Sequence, residues 1–452
     1  MYAALRHRSF RRLFTAHIVA LLGTGLSTIA IGLLAVGIAG DSAAGLIGTL
    51  LSLKMLTFLL IGPLAPAIAR RVGVKRLLIA TDITRALIAL ALPFIDSAAM
   101  AIGLVVLLQS SAALFTPTFQ ATIPRVVPDR KEYTGALALS RLAYDLEALL
   151  SPALAGLILV LASSSSLFFG TSIGFLASAA LILSAVIPKT VDDGAPVRNE
   201  LTLGARRMFS TPALRATLIL DLALAFIGAV PMALTIPLVM NGLGGDATAS
   251  TALLGAFGVG SIISAILMPT IIAKLGPRRY MLTGLLTIAL SMTMVWPVMT
   301  FTPPEQTLTW LFVIWFVAGG GNSAVVAPMG RVVRDNTSDR DLPHVFAARF
   351  SIAHGWWLIT YPLAGWGATA IGYGPMVLAL AAASLIALAF SAWFWKRQGD
   401  APAVPPPASS TDEDHGPTPV DAAEERPETG KNPIDAGIGA DHPRGERVRA
   451  AE

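Results

Sequence analysis

"ARRVGVKRLL", residues 69–78, interrupts one long apolar run and opens another. Four cationic side chains flank a single glycine, Gly73. The stretch returns near the middle of the chain as "AKLGPRRYML", residues 273–282, with Gly276 in the place of Gly73 and an offset of 203. Two more echoes follow the same spacing. "LLSPALAGL" parallels "ITYPLAGWG", with Pro152 and Pro362 offset by 210, and "FTPTF" parallels "VAPMG", with Pro117 and Pro328 offset by 211. A similar offset at three places predicts a duplicated chain, and parallel halves of this kind, related by an axis along the membrane normal, are a known plan for transport proteins.

The intervals between these marks are apolar. A helix needs about 20 apolar residues to cross a hydrocarbon layer of roughly 30 Å. Runs of that kind predict helices at 14–38, 43–69, 77–95, 98–122, 135–162 and 166–187. After a polar interval they resume at 214–240, 248–272, 279–300, 307–329, 345–371 and 375–396. The expected fold is therefore an all-α membrane protein of twelve transmembrane helices. The N-terminal six-helix half covers 1–187, a cytoplasmic linker 188–213, the C-terminal six-helix half 214–397, and an acidic tail 398–452. Within the linker, "ELTLGARRMFSTPALRA" (200–216) reads as an amphipathic helix lying on the inner leaflet. The tail is rich in proline and acid and is expected to be disordered.

Composition agrees. The 452 residues are 54% hydrophobic and only 13% charged, against about 25% charged in an ordinary soluble domain. Cysteine is absent, which excludes a disulfide framework, a thiolate metal site and a cysteine nucleophile. The net charge of +5 conceals a split. From Gln398 onward there are 12 acidic and 5 basic residues, so the body carries about +12. The body's cations cluster in alternate short loops: "RRVGVKR", "PRVVPDRKE", the 188–213 segment, "AKLGPRR" and "GRVVRDNTSDRD". The opposite loops hold Asp41, Asp96, Asp246 and Glu305, and no Lys or Arg. This positive-inside pattern predicts a multi-pass protein of the inner membrane with both termini cytoplasmic, and the basic charge points to orientation rather than to nucleic acid.

Twelve helices in a 6+6 plan with a basic, glycine-containing loop after helices 2 and 8 resemble the major facilitator superfamily over about 1–397. The gate-loop pattern of that superfamily falls on Arg70, Arg71, Gly73, Lys75 and Arg76 and again on Lys274, Gly276, Arg278 and Arg279. The acidic member that the family uses to latch its halves is replaced by Arg70. "IATDITRA", with Asp82 and Arg85, resembles the start of helix 3 in the drug- and siderophore-exporting, enterobactin-exporter-like branch, and is grouped here with the gate loops. "ALFTPTFQATIPRVVP" resembles the end of helix 4 in the same branch. Exporters often carry Gly-Pro-x-x-Gly-Gly in helix 5; here Ser151, Pro152 and Gly156 form a degenerate version. What the resemblance implies is export by alternating access.

Ionisable groups inside a bilayer are costly and mark a wet cavity, a partner or a pathway. In "RLAYDLEALL", Asp145 and Glu147 are two residues apart and face different sides of a helix. Asp145 shares a face with Arg141. Glu147 has only Ser151 at helical spacing. A carboxyl group so placed can hold and release a proton near neutral pH. Lys54, in "LLSLKMLTFLL", lies about eleven residues from the outer end of helix 2, and Glu147, Asp145 and Asp221 are its candidate partners. Asp221 is expected near the start of helix 7 in a structural role. His354 lies among Trp356, Trp357 and Tyr361, either packing there or titrating. His17 reads as a packing residue. "GAFGVGSIISA" (255–265) predicts close approach of helix 8 to a neighbour, and the resemblance makes helix 5 the partner across the halves. "GGGNSAVVAP" (319–328) is expected to be a flexible point in helix 10.

Neither a nucleotide loop nor a catalytic triad nor metal-ligand spacing is visible, so the expectation is a transporter rather than an enzyme, with no cofactor, no bound metal and no nucleic acid. Its partners are a small-molecule substrate, protons and the lipid bilayer, and it is expected to be a monomer. The leading reading is proton-coupled antiport, with efflux of small amphipathic molecules. Export of a metal cation or siderophore through Asp145, Glu147 and His354 is an alternative. A non-transporting membrane sensor or assembly protein, using the acidic tail, is an alternative of another class.

Overall fold

The computed structural model describes residues 5–127, 129–187, 198–338 and 341–396, without several side chains near the start of the fifth span. The first part of the linker and the acidic tail fall outside them, as do the side chains of Arg141 and Asp145. No strand occurs among the described residues.

The N-terminal half comprises α1 (Arg8–Ala39), α2 (Ala43–Ile61) continued through a tight turn by α3 (Ala65–Val72), α4 (Val74–Ala91), α5 (Ala98–Val126), α6 (Arg130–Leu161) and α7 (Ser165–Ser184). A short α8 (Arg198–Ser210) precedes the C-terminal half. That half comprises α9 (Pro212–Ala229) extended by two π-turns around α10 (Thr235–Pro237), then α11 (Ala247–Thr293) with α12 (Val295–Phe301), α13 (Pro304–Asp335), α14 (Leu342–Ile371) and α15 (Tyr373–Lys396).

Eight described segments are long and apolar enough to cross a membrane. Two of them, Arg8–Val72 and Ala247–Phe301, are double. The first breaks at the Gly40–Ser42 turn. The second folds back at Gly276, so that Tyr280 and Ser264 meet through their hydroxyls at 2.9 Å. With α6 and α14, of 32 and 30 residues, the spans number twelve among the described residues. Large apolar side chains cover the outside: Phe94, Leu161 and Phe301 are more than three-quarters exposed, as lipid-facing residues are.

The duplication is visible in the backbone. Gly73 and Gly276, paired by the repeat, both take positive φ, at 94° and 75°. Gly40 and Gly244, which follow the first span of each half, do the same at 50° and 66°. In this region a Cβ is strained, so the two basic loops need glycine where they turn.

The core distinguishes the two ends of the bundle. At the end carrying the Gly40 and Gly244 turns, one apolar cluster spans both halves, joining Leu26, Leu46 and Leu50 to Leu224, Ile236 and Tyr361. At the basic-loop end the clusters are separate: Phe10, Leu78 and Phe119 in one half, Met208, Leu218 and Val345 in the other. Among the described residues the halves are therefore packed together at the turn end and not at the basic-loop end.

Three expectations change. The linker helix is Arg198–Ser210, not 200–216, because Pro212 starts the next helix. It packs on α14: Met208 is fully buried and Gly204 sits against the His344 carbonyl, with Arg207 and Asp341 paired at 3.1 Å. Within 255–265, Gly260 serves the approach to α13, where it meets the Phe316 and Gly320 backbone, and Gly319 meets Phe257. The 319–321 glycines are thus close-packed in a continuous helix rather than a flexible point. Helices 5 and 8 do meet across the halves, at Gly156 and Thr251.

Candidate functional site

Lys54, Glu147 and His354 come from three spans and both halves. Lys54 occupies the middle of α2, and the Lys54 ammonium and Glu147 carboxylate lie within electrostatic reach of each other. They form no direct ion pair. Of the three partners open to Lys54 in the sequence, Glu147 is the one with which it interacts electrostatically. Asp221 is taken: its Oδ1 accepts from Arg349 Nη2 at 2.6 Å, ten residues into α9 rather than at its mouth. Asp145 lies outside the described side chains. Lys54 also interacts electrostatically with His354 on α14.

The niche of Glu147 depends on a glycine that the sequence reading did not single out. A Cβ placed on Gly25 of α1 would lie 3.0 Å from Glu147 Oε1 and would collide with the Ser151 side chain. Ser151 is buried, and among the described residues its hydroxyl has no partner. Gly25 therefore leaves room for the carboxylate and hydroxyl one turn apart on α6. Only tertiary contact reveals this, because "GTGLS" carries no charge to mark it.

The wall beyond Lys54 is aromatic. Phe58, one turn along α2, stacks on His354 with centroids 6.0 Å apart, and Phe350 closes on the same ring at 3.9 Å. His354 Nδ1 donates to the Phe350 carbonyl at 2.7 Å, which leaves Nε2 as the acceptor in the neutral ring. Trp357 and Tyr361 pack at 5.0 Å a turn further on. Above this niche, Ser52 Oγ donates to Leu358 O at 2.7 Å and Trp366 Nε1 to Thr49 Oγ1 at 3.1 Å. Asn241 Nδ2 donates to Gly40 O at 2.7 Å. These bonds hold the halves together toward the turn end.

The other candidates lie elsewhere. Asp82 and Arg85 are not in a loop; they pair within α4, fully buried, where Arg85 stacks between Phe115 and Phe175 at 4.4 and 4.3 Å. His17 is buried nearby against Phe119, centroids 4.2 Å apart. Arg70 and Arg71 are in the last turn of α3, with Arg76 on the far side of Gly73, and all three are exposed. Lys75 Nζ donates to the Ala185 carbonyl at 2.9 Å, tying the loop to the end of α7. Lys274, Arg278 and Arg279 flank Gly276 in the matching place. Pro152 and Gly156 lie on α6 beyond Ser151.

A duplicated twelve-span bundle with charged side chains at the seam between its halves defines a multi-pass membrane transporter, not an enzyme. The sequence profile of the Major Facilitator Superfamily matches residues 13–234 and 217–434, and the chain belongs to that superfamily. By sequence, no curated protein matches significantly. Among solved structures, an inward-facing, occupied bacterial homologue of the human lysosomal transporter Spinster is similar, with TM-score 0.67 and 15% identity over 86% of this chain and 97% of that one. A D-xylose–proton symporter matches with TM-score 0.66 and 14% identity over 86% and 98%. The nucleoside transporter NupG matches with TM-score 0.64 and 11% identity over 86% and 99%. At these identities the likeness concerns the fold.

Proposed function

We propose that this transporter exports small amphipathic molecules across the inner membrane in exchange for protons, by alternating access, with both termini in the cytoplasm. The observation that carries the reading is the convergence of Lys54 and Glu147 of one half with His354 of the other, below a closed seam and above parted ends. With the basic loops cytoplasmic, the parted end is the inward opening. A carboxylate kept at a seam that opens alternately to the two sides can take a proton on one side and yield it on the other. Glu147 is the proton carrier in this reading, and Lys54, with the Phe58, Trp357 and Tyr361 wall, contacts the cargo. The basic gate loops at Gly73 and Gly276 lie where the halves must meet when the opening reverses.

The test is flux in proteoliposomes under an imposed pH gradient. Glu147→Gln should abolish gradient-driven movement while leaving the melting midpoint unchanged. Retention of full gradient dependence in that variant would remove Glu147 from the mechanism. An amide keeps the shape of the carboxyl, so lost packing cannot account for the expected result.

A further inference from the structure

Lys54 and Glu147 interact electrostatically but form no direct ion pair among the described residues. Each is within electrostatic reach of the other, yet among the described residues neither head group has a hydrogen-bond or ion-pair partner. A pair needed only for neutrality gains most from direct, hydrogen-bonded contact. Here, among the described residues, neither charge carries a direct bond. At the Glu147 end, the buried Ser151 hydroxyl lacks a partner among the described residues and adds a polar atom beside the carboxylate. At the Lys54 end, the wall is made of Phe58 and the His354 ring, with Phe350 behind it.

We infer that the site takes a dipolar ion, a small aromatic or apolar molecule carrying one ammonium and one carboxylate, which bridges Glu147 and Lys54. The inference rests on the transport reading above and narrows its cargo. With both side chains ionised the site has no net charge. A purely cationic amphipath meets Lys54, a purely anionic one meets Glu147, and like-charge juxtaposition in a recess costs affinity steeply. A dipolar ion satisfies both ends and lays its apolar body on the aromatic wall. The same arrangement fixes the sign of coupling. A proton on Glu147 removes the anchor of the cargo's ammonium, so proton and cargo exclude each other, as exchange requires.

The experiment measures binding to the purified full chain, by calorimetry, of three charge forms of one aromatic body. The probes are phenylalanine, its methyl ester and N-acetylphenylalanine, repeated with indolyl and naphthyl bodies. The dipolar form should bind about tenfold or more tightly than either singly charged form. Lys54→Met should shift the preference to the ester, and Glu147→Gln to the N-acetyl form. Lys54→Arg and Glu147→Asp should keep the dipolar preference, and an unchanged melting midpoint in all four variants excludes misfolding as the cause. Binding blind to charge form, no binding of any probe, or variants that weaken all three forms equally would overturn the inference. Dipolar preference with the expected swaps but no flux driven by a pH gradient would leave it standing and sink the exchange reading. Gradient-driven flux that ignores charge form would do the reverse.

Discussion

A buried charge is the sharpest statement a single residue makes in this molecule, and Asp82 makes it most plainly. It is fully buried in α4 and paired with Arg85, whose guanidinium lies between two phenylalanine faces. Removing one member of such a pair leaves the other ionised in an apolar surround, which costs about 3–5 kcal/mol. Asp82→Ala should therefore lower the unfolding midpoint strongly, whereas Asp82→Ala combined with Arg85→Met should recover most of the loss. Thermal unfolding followed by fluorescence reads both. A double variant as unstable as the single one would show that the pair itself supplies net stability. The Asp221–Arg349 pair, with 7% and 21% side-chain exposure, is more open to solvent, so Asp221→Ala should cost less than Asp82→Ala on the same scale.

At the scale of the element, glycine decides how close two helices come and where one span ends. Gly25 lets α1 lie against α6 beside Glu147 and Ser151. An added methyl there must push α6 away or drive the Ser151 side chain from its place. Overpacking of this kind costs about 1–3 kcal/mol. Gly25→Ala should reduce cargo affinity more than it reduces thermal stability, because the displaced groups are those of the niche; binding and melting on the same preparation would separate the two. Gly73 and Gly276 act differently. Nothing lies within 4 Å of a Cβ built at either, yet each has positive φ. Substitution is thus a matter of backbone strain alone, of about 1–2 kcal/mol per site. Gly73→Ala and Gly276→Ala should destabilise by similar amounts, and those amounts should add, since the loops belong to different halves. A strongly unequal pair would show that the two loops do not share a conformation in the membrane.

For the whole molecule, the fold was written in the sequence at the level where apolar length and repeat spacing operate, and the site only in part. Twelve runs, the turn glycines and the alternating loop charge are local or periodic, so they survive without tertiary information. Lys54 and Glu147 stood out because a charge in a long apolar run is rare. What could not be read is which groups meet: Arg349 joins Asp221 across 128 positions, Gly25 shapes a niche on another helix, and Gly260 meets α13. Those are products of packing between spans, on which spacing within one span is silent. The same packing predicts how the two lobes move. Among the described residues they share one apolar cluster at the turn end and none at the basic-loop end, so reversing the opening must break the α2–α14 seam, where Trp366 bonds Thr49 and Ser52 bonds Leu358. The chain has no cysteine, and Thr49→Cys with Trp366→Cys therefore places the sole thiols on opposite sides of that seam. Bridging them with a short bifunctional thiol reagent should stop transport in proteoliposomes, and cleaving the bridge should restore it. Each single variant, treated identically, should keep transporting. Binding from the basic-loop side should persist in the bridged protein, because the described residues show no apolar packing between the halves at that end. Undiminished transport through a bridged seam would mean that the lobes do not separate there, and with it the two-sided access assigned to Glu147 would fall.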